Sequence, residues 1–195
     1  MFQPKTADGP AVLADVLAPD ATLIVDSLLV LGMSLAIALC AQIVIPLPWT
    51  PVPLTGQTLG VLYAGALLGP RRGAASAALY LLLGAAGLPF LAGGAAGPAH
   101  FLGATGGYLA GFVPAAWLTG ALARRGWDRG PLTAFAAMLL GSAVIFALGL
   151  AVLRFFVPPG QVLIQGLYPF LLGDAAKAAI SAGLLPLGWK LIGKR

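Results

Sequence analysis

Charged residues are scarce in this chain. Only 9% of its 195 residues are Asp, Glu, Lys or Arg, whereas about 25% is usual for a soluble domain. Hydrophobic residues make up 59% of the chain, and the mean hydropathy is +0.96. This composition excludes an ordinary water-soluble domain and predicts an all-α polytopic membrane protein, whose length fits one compact helical bundle.

Acidic residues are the rarer charged class. There are 6 of them against 11 Lys and Arg, which gives a net charge of +5 and a pI of about 9.8. In a soluble protein such a basic balance would suggest nucleic-acid binding. Here the bases lie in short loops between apolar segments, the pattern that orients membrane proteins. We therefore expect contact with membrane lipid and no nucleic-acid partner.

Cysteine and the common catalytic motifs are also nearly or wholly missing. Cys40 is the single cysteine and lies in an apolar run, so an intrachain disulfide and a cysteine metal cluster are excluded. The sequence lacks a His-Glu-x-x-His motif, a Gly-x-Ser-x-Gly elbow and a Gly-x-x-x-x-Gly-Lys-Ser/Thr phosphate loop. These absences argue against an enzyme, against ATP hydrolysis through that loop, and against a bound metal or cofactor. Cys40 is interpreted as a small packing residue.

Six apolar segments are long enough, or nearly so, to cross a bilayer, since about 20 helical residues span its hydrocarbon core. The second and third are short and are separated by Pro70, Arg71 and Arg72, so they predict a tilted or sheltered helical hairpin. The chain then divides into a tail or surface segment, residues 1–22, and a single six-helix transmembrane domain, residues 23–195. The predicted spans cover residues 23–45, 55–69, 73–87, 104–123, 131–157 and 162–189, the last broken at Pro169.

Six spans place both termini on one side, and the basic residues identify that side as the cytoplasm. Only Arg154 lies near the opposite face. Three irregular segments then meet outside: the proline-rich residues 46–53, the Gly- and Pro-rich residues 87–103, and the turn at Pro158 and Pro159. The second is too apolar for a solvated loop, so we expect a lid or pocket wall. The bases on the terminal side are Lys5, Arg71, Arg72, Arg124, Arg125, Arg129, Lys190, Lys194 and Arg195.

One acid and one base remain inside the sixth apolar segment. Asp174 and Lys177 are three positions apart, so their side chains project from the same face of a helix. Unpaired, each would cost roughly 2.5–3.5 kcal/mol in a bilayer, and such residues usually face the bundle interior. They form either an internal ion pair that fixes helix packing or part of a binding site for a small polar ligand.

Other candidate residues accompany this pair. Gln57 carries an amide that is costly to leave unpaired near the end of a span. His100 is interpreted as a loop residue rather than a metal ligand, because no second ligand is nearby. Small residues along the first span suit close helix contact, either within the bundle or with another membrane protein. Those small residues include Gly32, Ser34, Ala36, Ala38, Cys40 and Ala41, and the aromatic candidates for a pocket wall are Trp49, Phe90, Phe101, Tyr108, Tyr168 and Phe170.

With its motifs taken in order, the chain resembles the BioY family, the biotin-binding membrane subunits (S components) of energy-coupling-factor (ECF) vitamin transporters. The similarity runs from about Leu31 to Lys190. It rests on residues 45–57 (IPLPWTPVPLTGQ), 65–71 (GALLGPR), Tyr80 with Gly84, 87–90 (GLPF), 103–108 (GATGGY), Gly111 with Phe112, and 169–177 (PFLLGDAAK).

The resemblance implies a six-helix S-component fold with both termini cytoplasmic, in the cell membrane of a prokaryote. It also implies capture of biotin from outside, and partnership with a transmembrane coupling subunit and, through it, two ATPase subunits. Asp174 would accept the ureido N–H groups of biotin and Lys177 would donate to its carbonyl or steer its carboxylate. Gln57 and the Tyr108 hydroxyl would complete the polar contacts. The biotin-binding residues so expected are Asp174, Lys177, Gln57, Tyr108, Phe90 and Trp49, and the docking face is Gly32, Ala36, Ala38 and Cys40.

Two departures from the family pattern concern the carboxylate end of the ligand. Ala104 stands where members often have proline, and Ala95 and Ala96 stand where others place a polar or basic residue. The residue that meets the carboxylate is therefore not assigned from the sequence. The alternatives are an S component for a different vitamin and, from another class, a membrane enzyme or an assembly subunit.

Overall fold

The computed structural model describes residues 11–192. The first part of the predicted tail, residues 1–10, lies outside the described residues, as do Lys194 and Arg195. Most of the described range is helical. The helices are α1 Leu13–Leu17, α2 Leu23–Ala41, α3 Gln57–Ala85, α4 Gly106–Arg124, α5 Pro131–Leu153, α6 Val162–Gly166 and α7 Tyr168–Ile192, and the strands are β1 Val44–Ile45 and β2 Leu54–Thr55.

Helix α3 is folded back on itself at Gly69. This residue has φ 83° and ψ 177°, outside the helical region, and Pro70 follows it. Gln57 and Tyr80 form a hydrogen bond between the two arms, although 23 positions along a straight helix would separate them by roughly 34 Å. The predicted hairpin is therefore confirmed, with arms formed by residues 57–68 and 70–85.

Glycines let the neighbouring helices approach closely. A Cβ added to Gly65 of α3 would overlap the Ala116 carbonyl of α4. A Cβ added to Gly60, also in α3, would lie 3.2 Å from the Cα of Ile37 in α2. Lipid tails are as apolar as leucine, so close backbone packing of this kind replaces the hydrophobic effect as the force between membrane helices.

Three predicted helix limits are wrong. The fifth span is predicted to reach residue 157, but α5 ends at Leu153. The first span is predicted to reach residue 45, but α2 ends at Ala41, and Val44–Ile45 pairs antiparallel with Leu54–Thr55. The β-branched side chains of that strand favour extended backbone. The break predicted at Pro169 lies instead at Leu167, which has φ −129° and follows the end of α6. Pro169 belongs to the first turn of α7, where its missing N–H has no helical partner to lose.

The N-terminal segment packs against the bend of α3 at Gly69. Arg72 pairs with Asp15 at 2.8 Å and with Asp26 at 2.8 Å, although its N–H is not aligned for a hydrogen bond to Asp26. Val12 is fully buried and lies against Gly69. Within the predicted tail or surface segment, Leu13–Leu17 thus forms a short helix, α1, that closes one end of the bundle.

A second group of polar side chains lies at the end of the bundle that holds Arg72 and Asp15. The Trp189 indole donates to Asp128 at 2.7 Å, and the Arg129 guanidinium stacks over the Trp189 ring at 4.4 Å. Arg129 also donates to the Ala11 carbonyl, which joins the cluster to the N-terminal segment. Burial raises the pKa of Asp128, an effect that the hydrogen bond from Trp189 partly offsets. Arg72 and Arg129 therefore lie at the same end of the bundle.

The outer surface is that of a membrane protein. Three segments among the described residues are long and apolar enough to cross a membrane: Leu23–Ala41, Pro131–Leu153 and Pro159–Ile192. Large apolar side chains cover the outside, and Leu23 and Leu172 are each 86% exposed. Extensive exposed apolar surface of this kind marks contact with a membrane.

Candidate functional site

The irregular segment between α3 and α4 is shaped by glycines. Gly93 and Gly97 have φ of 65° and 93°, conformations that other residues rarely adopt. They permit two 3-10 turns, Ala92–Gly94 and Pro98–Phe101. Residues of both turns, among them His100, line a cavity. The expectation that this segment forms a pocket wall is confirmed.

The cavity has a volume of about 410 Å³, within the range of roughly 300–1,000 Å³ common for small-molecule sites. Asp174 and Gln57 are each 5% exposed and mark its buried end, whereas the exposed His100 marks its mouth. Asp174 lies 15 positions before Trp189, so roughly 22 Å of helix separates the cavity from the basic end of the bundle. The polar and charged lining residues other than Tyr108 are Thr55, Gln57, Thr58, His100, Thr105, Asp174 and Lys177.

Lys177 ties α7 to the start of α3. Its Nζ donates to the Thr55 carbonyl at 2.9 Å, to Thr58 Oγ1 at 2.7 Å and to Asp174 Oδ1 at 3.1 Å. An ammonium group has three N–H donors, so these three acceptors occupy all of them. The lysine is a fixed part of the cavity wall.

Asp174 has one oxygen occupied and one free. Oδ1 is the partner of Lys177, whereas Oδ2 is buried and has no hydrogen-bond partner within residues 11–192. A buried acceptor left unpaired costs about 1–3 kcal/mol, and more when it is charged. Because this carboxylate also lines the cavity, the geometry favours a binding role over an ion pair that serves packing alone.

Gln57 is held in place beside this pair. Its Oε1 accepts a hydrogen bond from the Thr55 hydroxyl at 3.1 Å, and its Nε2 donates to the Tyr80 hydroxyl. A side-chain amide nitrogen carries two N–H groups, of which Tyr80 takes one. The second can donate to a ligand in the cavity, which Gln57 lines.

An aromatic group forms one wall. Phe146 lies edge-on to Tyr108 with centroids 6.4 Å apart and is 6.2 Å from the ring of Phe170, and all three line the cavity. The Tyr108 hydroxyl donates to the Gly166 carbonyl at 2.8 Å. The hydroxyl proton expected to serve the ligand is therefore used within the protein, and Tyr108 offers the cavity its ring.

Trp49 and Phe90 do not line the cavity. Trp49 is 59% exposed in the turn between β1 and β2, as expected of an indole at the headgroup level. Leu91 takes the place expected for Phe90: it is 3% exposed, lines the cavity and packs on Gly84, where an added Cβ would lie 2.6 Å from it. Phe101 and Tyr168 also lie outside the cavity wall.

Three residues of the cavity wall were not predicted from the sequence. Thr55 and Thr58 hold Lys177, and Phe146 links the other two rings. The two threonines flank Gln57 in the sequence, and a cluster of polar residues at the start of an apolar segment is a usable signal. Phe146 lies among the apolar residues of α5 and carries no such signal.

The side chains of the site offer hydrogen bonds and ring contacts. Within residues 11–192, no three His, Cys, Asp or Glu side chains form a metal-type group. Asp174 supplies an acceptor at the buried end, Gln57 a donor, and the aromatic wall a flat apolar surface. This arrangement suits a small ring compound that carries N–H groups and a carbonyl on one edge.

Comparisons with known proteins agree on one family. A family model described as the BioY family matches residues 14–194. The chain is 40% identical over 146 residues to the biotin transporter BioY of Rhizobium etli, over 71% of this chain and 78% of that protein. It is 36% identical over 143 residues to the biotin transporter BioY of Thermotoga maritima, over 71% of this chain and 81% of that protein. Its fold is similar to a crystal structure of the S-component for biotin from an ECF-type ABC transporter, with TM-score 0.74, 29% identity, and coverage of 86% of this chain and 92% of that one.

Proposed function

Because this chain belongs to the BioY family, we propose that it is the S component that captures biotin for an energy-coupling-factor vitamin transporter. Its role is transport and not catalysis. The observation that carries the proposal is the unpartnered Oδ2 of Asp174, a buried acceptor on a residue that lines a cavity of suitable size.

The ureido ring of biotin has two N–H donors and one carbonyl acceptor, which match the buried end of the cavity. Asp174 Oδ2 accepts one ureido N–H in a charge-assisted hydrogen bond, and Gln57 donates its second N–H to the ureido carbonyl. The fused rings lie against Tyr108, Phe146 and Phe170. Lys177 keeps Asp174 in place, and it reaches the ligand only if it releases one of its threonine oxygens.

Equilibrium titration of the purified full-length protein with several vitamins tests this function. We expect saturable one-to-one binding of biotin and no binding of thiamine or riboflavin at the same concentrations. Desthiobiotin keeps the ureido group and lacks the sulfur ring, so it should bind less tightly than biotin. Saturable binding of another vitamin in place of biotin would contradict the proposal and would indicate an S component of different specificity.

The orientation in the membrane is part of the proposal. Six spans, formed by α2, the two arms of α3, α4, α5 and α7, place both termini in the cytoplasm. The grouping of Arg72 and Arg129 at one end supports this orientation through the positive-inside rule. The cavity, roughly 22 Å away along α7, then opens to the outside, where biotin arrives.

The docking surface for the coupling subunit is proposed to be the outer face of α2 around Gly32 and Ala36. An added Cβ on Gly32 would meet no atom within 4 Å, so this face is open to a partner helix. Ala38 is 5% exposed and lies about 200° around the helix from Ala36, inside the bundle. Cys40 packs on Gly60, whose added Cβ would lie 3.4 Å from it. Ala38 is therefore removed from the docking face expected from the sequence, whereas Cys40 is half-buried, as Ala36 is, and stays at the edge of that face.

A pair of glycine variants tests the docking face. Gly32→Leu fills the open space on α2, whereas Gly183→Leu fills an equally open space on α7. We expect Gly32→Leu to keep biotin binding and to lose co-purification of the coupling subunit and ATPases, and Gly183→Leu to keep both. Equal co-purification with both variants would place the docking face elsewhere.

A further inference from the structure

The carboxylate of a captured ligand needs a partner that is distant from Asp174. This inference rests on the function proposed above, since biotin ends in a carboxylate on a flexible chain. Asp174 is an acid and is only 5% exposed, so a second anion beside it would be repelled and stripped of water. A charged group is cheapest to hold near water. The carboxylate is therefore directed to the exposed mouth of the cavity.

Among the described residues, two basic side chains line the cavity, Lys177 and His100, and they differ in the N–H donors left for a ligand. Lys177 already donates to Thr55, Thr58 and Asp174, and an ammonium has only three N–H groups. His100 is the other basic residue of the described wall, and it is exposed at the mouth. An imidazole carries at least one N–H donor in either charge state. The donor that remains for an anion is therefore His100.

The described side chains around His100 offer no other N–H or O–H donor to a carboxylate. Ala95, Ala99 and Ala104 present only methyl groups to this part of the cavity. The Thr105 hydroxyl donates to the His100 carbonyl at 3.4 Å, so it is directed at the backbone of the same turn. Because Ala95 and Ala96 have no polar side chain, the glycine-rich segment supplies no other side-chain donor before His100.

Helix α4 begins beside this histidine and adds a favourable field. It is 19 residues long, and Thr105 at its N-cap makes no side-chain capping bond. The amino end of a helix carries a partial positive charge, although the first N–H group of α4, that of Gly106, already donates to the Gly103 carbonyl at 2.9 Å. Gly103 and Thr105, which belong to the turn before the helix, line the same cavity as His100. His100 and the positive end of α4 thus border the same cavity.

We propose that His100, supported by the amino end of α4, binds the carboxylate of the ligand. The cavity then has two distinct poles. Asp174 at the buried end selects a neutral group with N–H donors, and His100 at the mouth selects an anion. The site would therefore discriminate strongly between biotin and biotinamide, in which a neutral amide replaces the carboxylate and the ureido head is unchanged.

The test is equilibrium titration of the purified full-length protein with biotin and with biotinamide. Four proteins are compared: the unaltered chain, His100→Ala, His100→Gln, and Arg154→Ala. Gln keeps an N–H donor without a charge. Arg154 is the control, because it is a base that lines a separate pocket with Ala147, Leu150 and Phe155. Binding of biotinamide by a variant shows that the variant is folded and that the end of its cavity around Asp174 still binds the ureido group.

We expect His100→Ala to weaken biotin binding by about tenfold to a hundredfold, the range for a hydrogen bond to a charged group. Biotinamide should be little affected, His100→Gln should fall between, and Arg154→Ala should change neither ligand. The proposal is overturned if the unaltered protein binds both ligands equally, or if His100 variants lose both ligands equally or neither. Failure of the unaltered protein to bind either ligand would instead overturn the capture function itself.

Discussion

Asp174→Asn is expected to weaken biotin binding by about tenfold to a hundredfold, because the variant loses a charged acceptor for a ureido N–H. Asn keeps the size of the side chain, but its amide has one oxygen. That single oxygen would have to accept hydrogen bonds from both Lys177 and the ligand. In Asp174, Oδ1 accepts from Lys177 and Oδ2 remains free. Titration of the purified variant with biotin measures the change.

Asp128→Asn is the matched control for this variant. Asp128 is also an acid, is 2% exposed, and has one oxygen bonded and one free within the described residues. It lies at the opposite end of the bundle beside Trp189, and an Asn oxygen can still accept the indole N–H. Biotin affinity should therefore be unchanged in Asp128→Asn. Equal losses in the two variants would mean that any buried acid supports binding through the fold.

Lys177→Met is expected to destabilise the protein by about 3–5 kcal/mol, because it leaves Asp174 as a buried charge without its partner. Asp174 and Lys177 are 6% and 19% exposed at their side chains, so water screens the pair little. For a chain of this size the loss corresponds to a fall in melting temperature of roughly 6–20 °C. A thermal melt of the detergent-solubilised protein measures it, and biotin affinity should fall in parallel.

Two comparisons show whether the loss comes from the broken pair. Lys190→Met removes an exposed base from the same helix and should leave the melting temperature nearly unchanged. The double variant Asp174→Leu with Lys177→Met removes both charges, so it should melt above Lys177→Met alone, because buried pairs can be replaced by apolar side chains. A double variant that melts lower than the single one would show that the pair is not the source.

The helix positions of the charged pair and the hairpin follow from the sequence. Asp174 and Lys177 meet because three positions along a helix bring two side chains together. The hairpin follows from the short apolar runs on either side of Pro70, and the bond between Gln57 and Tyr80 confirms it. Both inferences use local spacing within one element, which a single sequence contains.

Contacts between elements were not predictable in the same way. The threonines that occupy Lys177 come from a part of the chain about 120 residues away, with separations of 122 and 119 positions. The choice of Leu91 over Phe90 for the cavity depends on the backbone of an irregular segment, where no regular period tells inward from outward. The inward position of Ala38 depends on which face of α2 meets α3. Small residues suit either face, so composition could not decide it.

In the proposed complex, the free oxygen of the membrane-embedded Asp174 carboxylate recognises the ureido edge of biotin. A structure of the protein determined with biotin bound tests it most directly, through the distance from Asp174 Oδ2 to the nearest ureido nitrogen. We predict a separation of about 2.7–3.2 Å, that of an N–H to oxygen hydrogen bond. Biotin bound with its ureido ring turned away from Asp174, or seated outside this cavity, would contradict the claim.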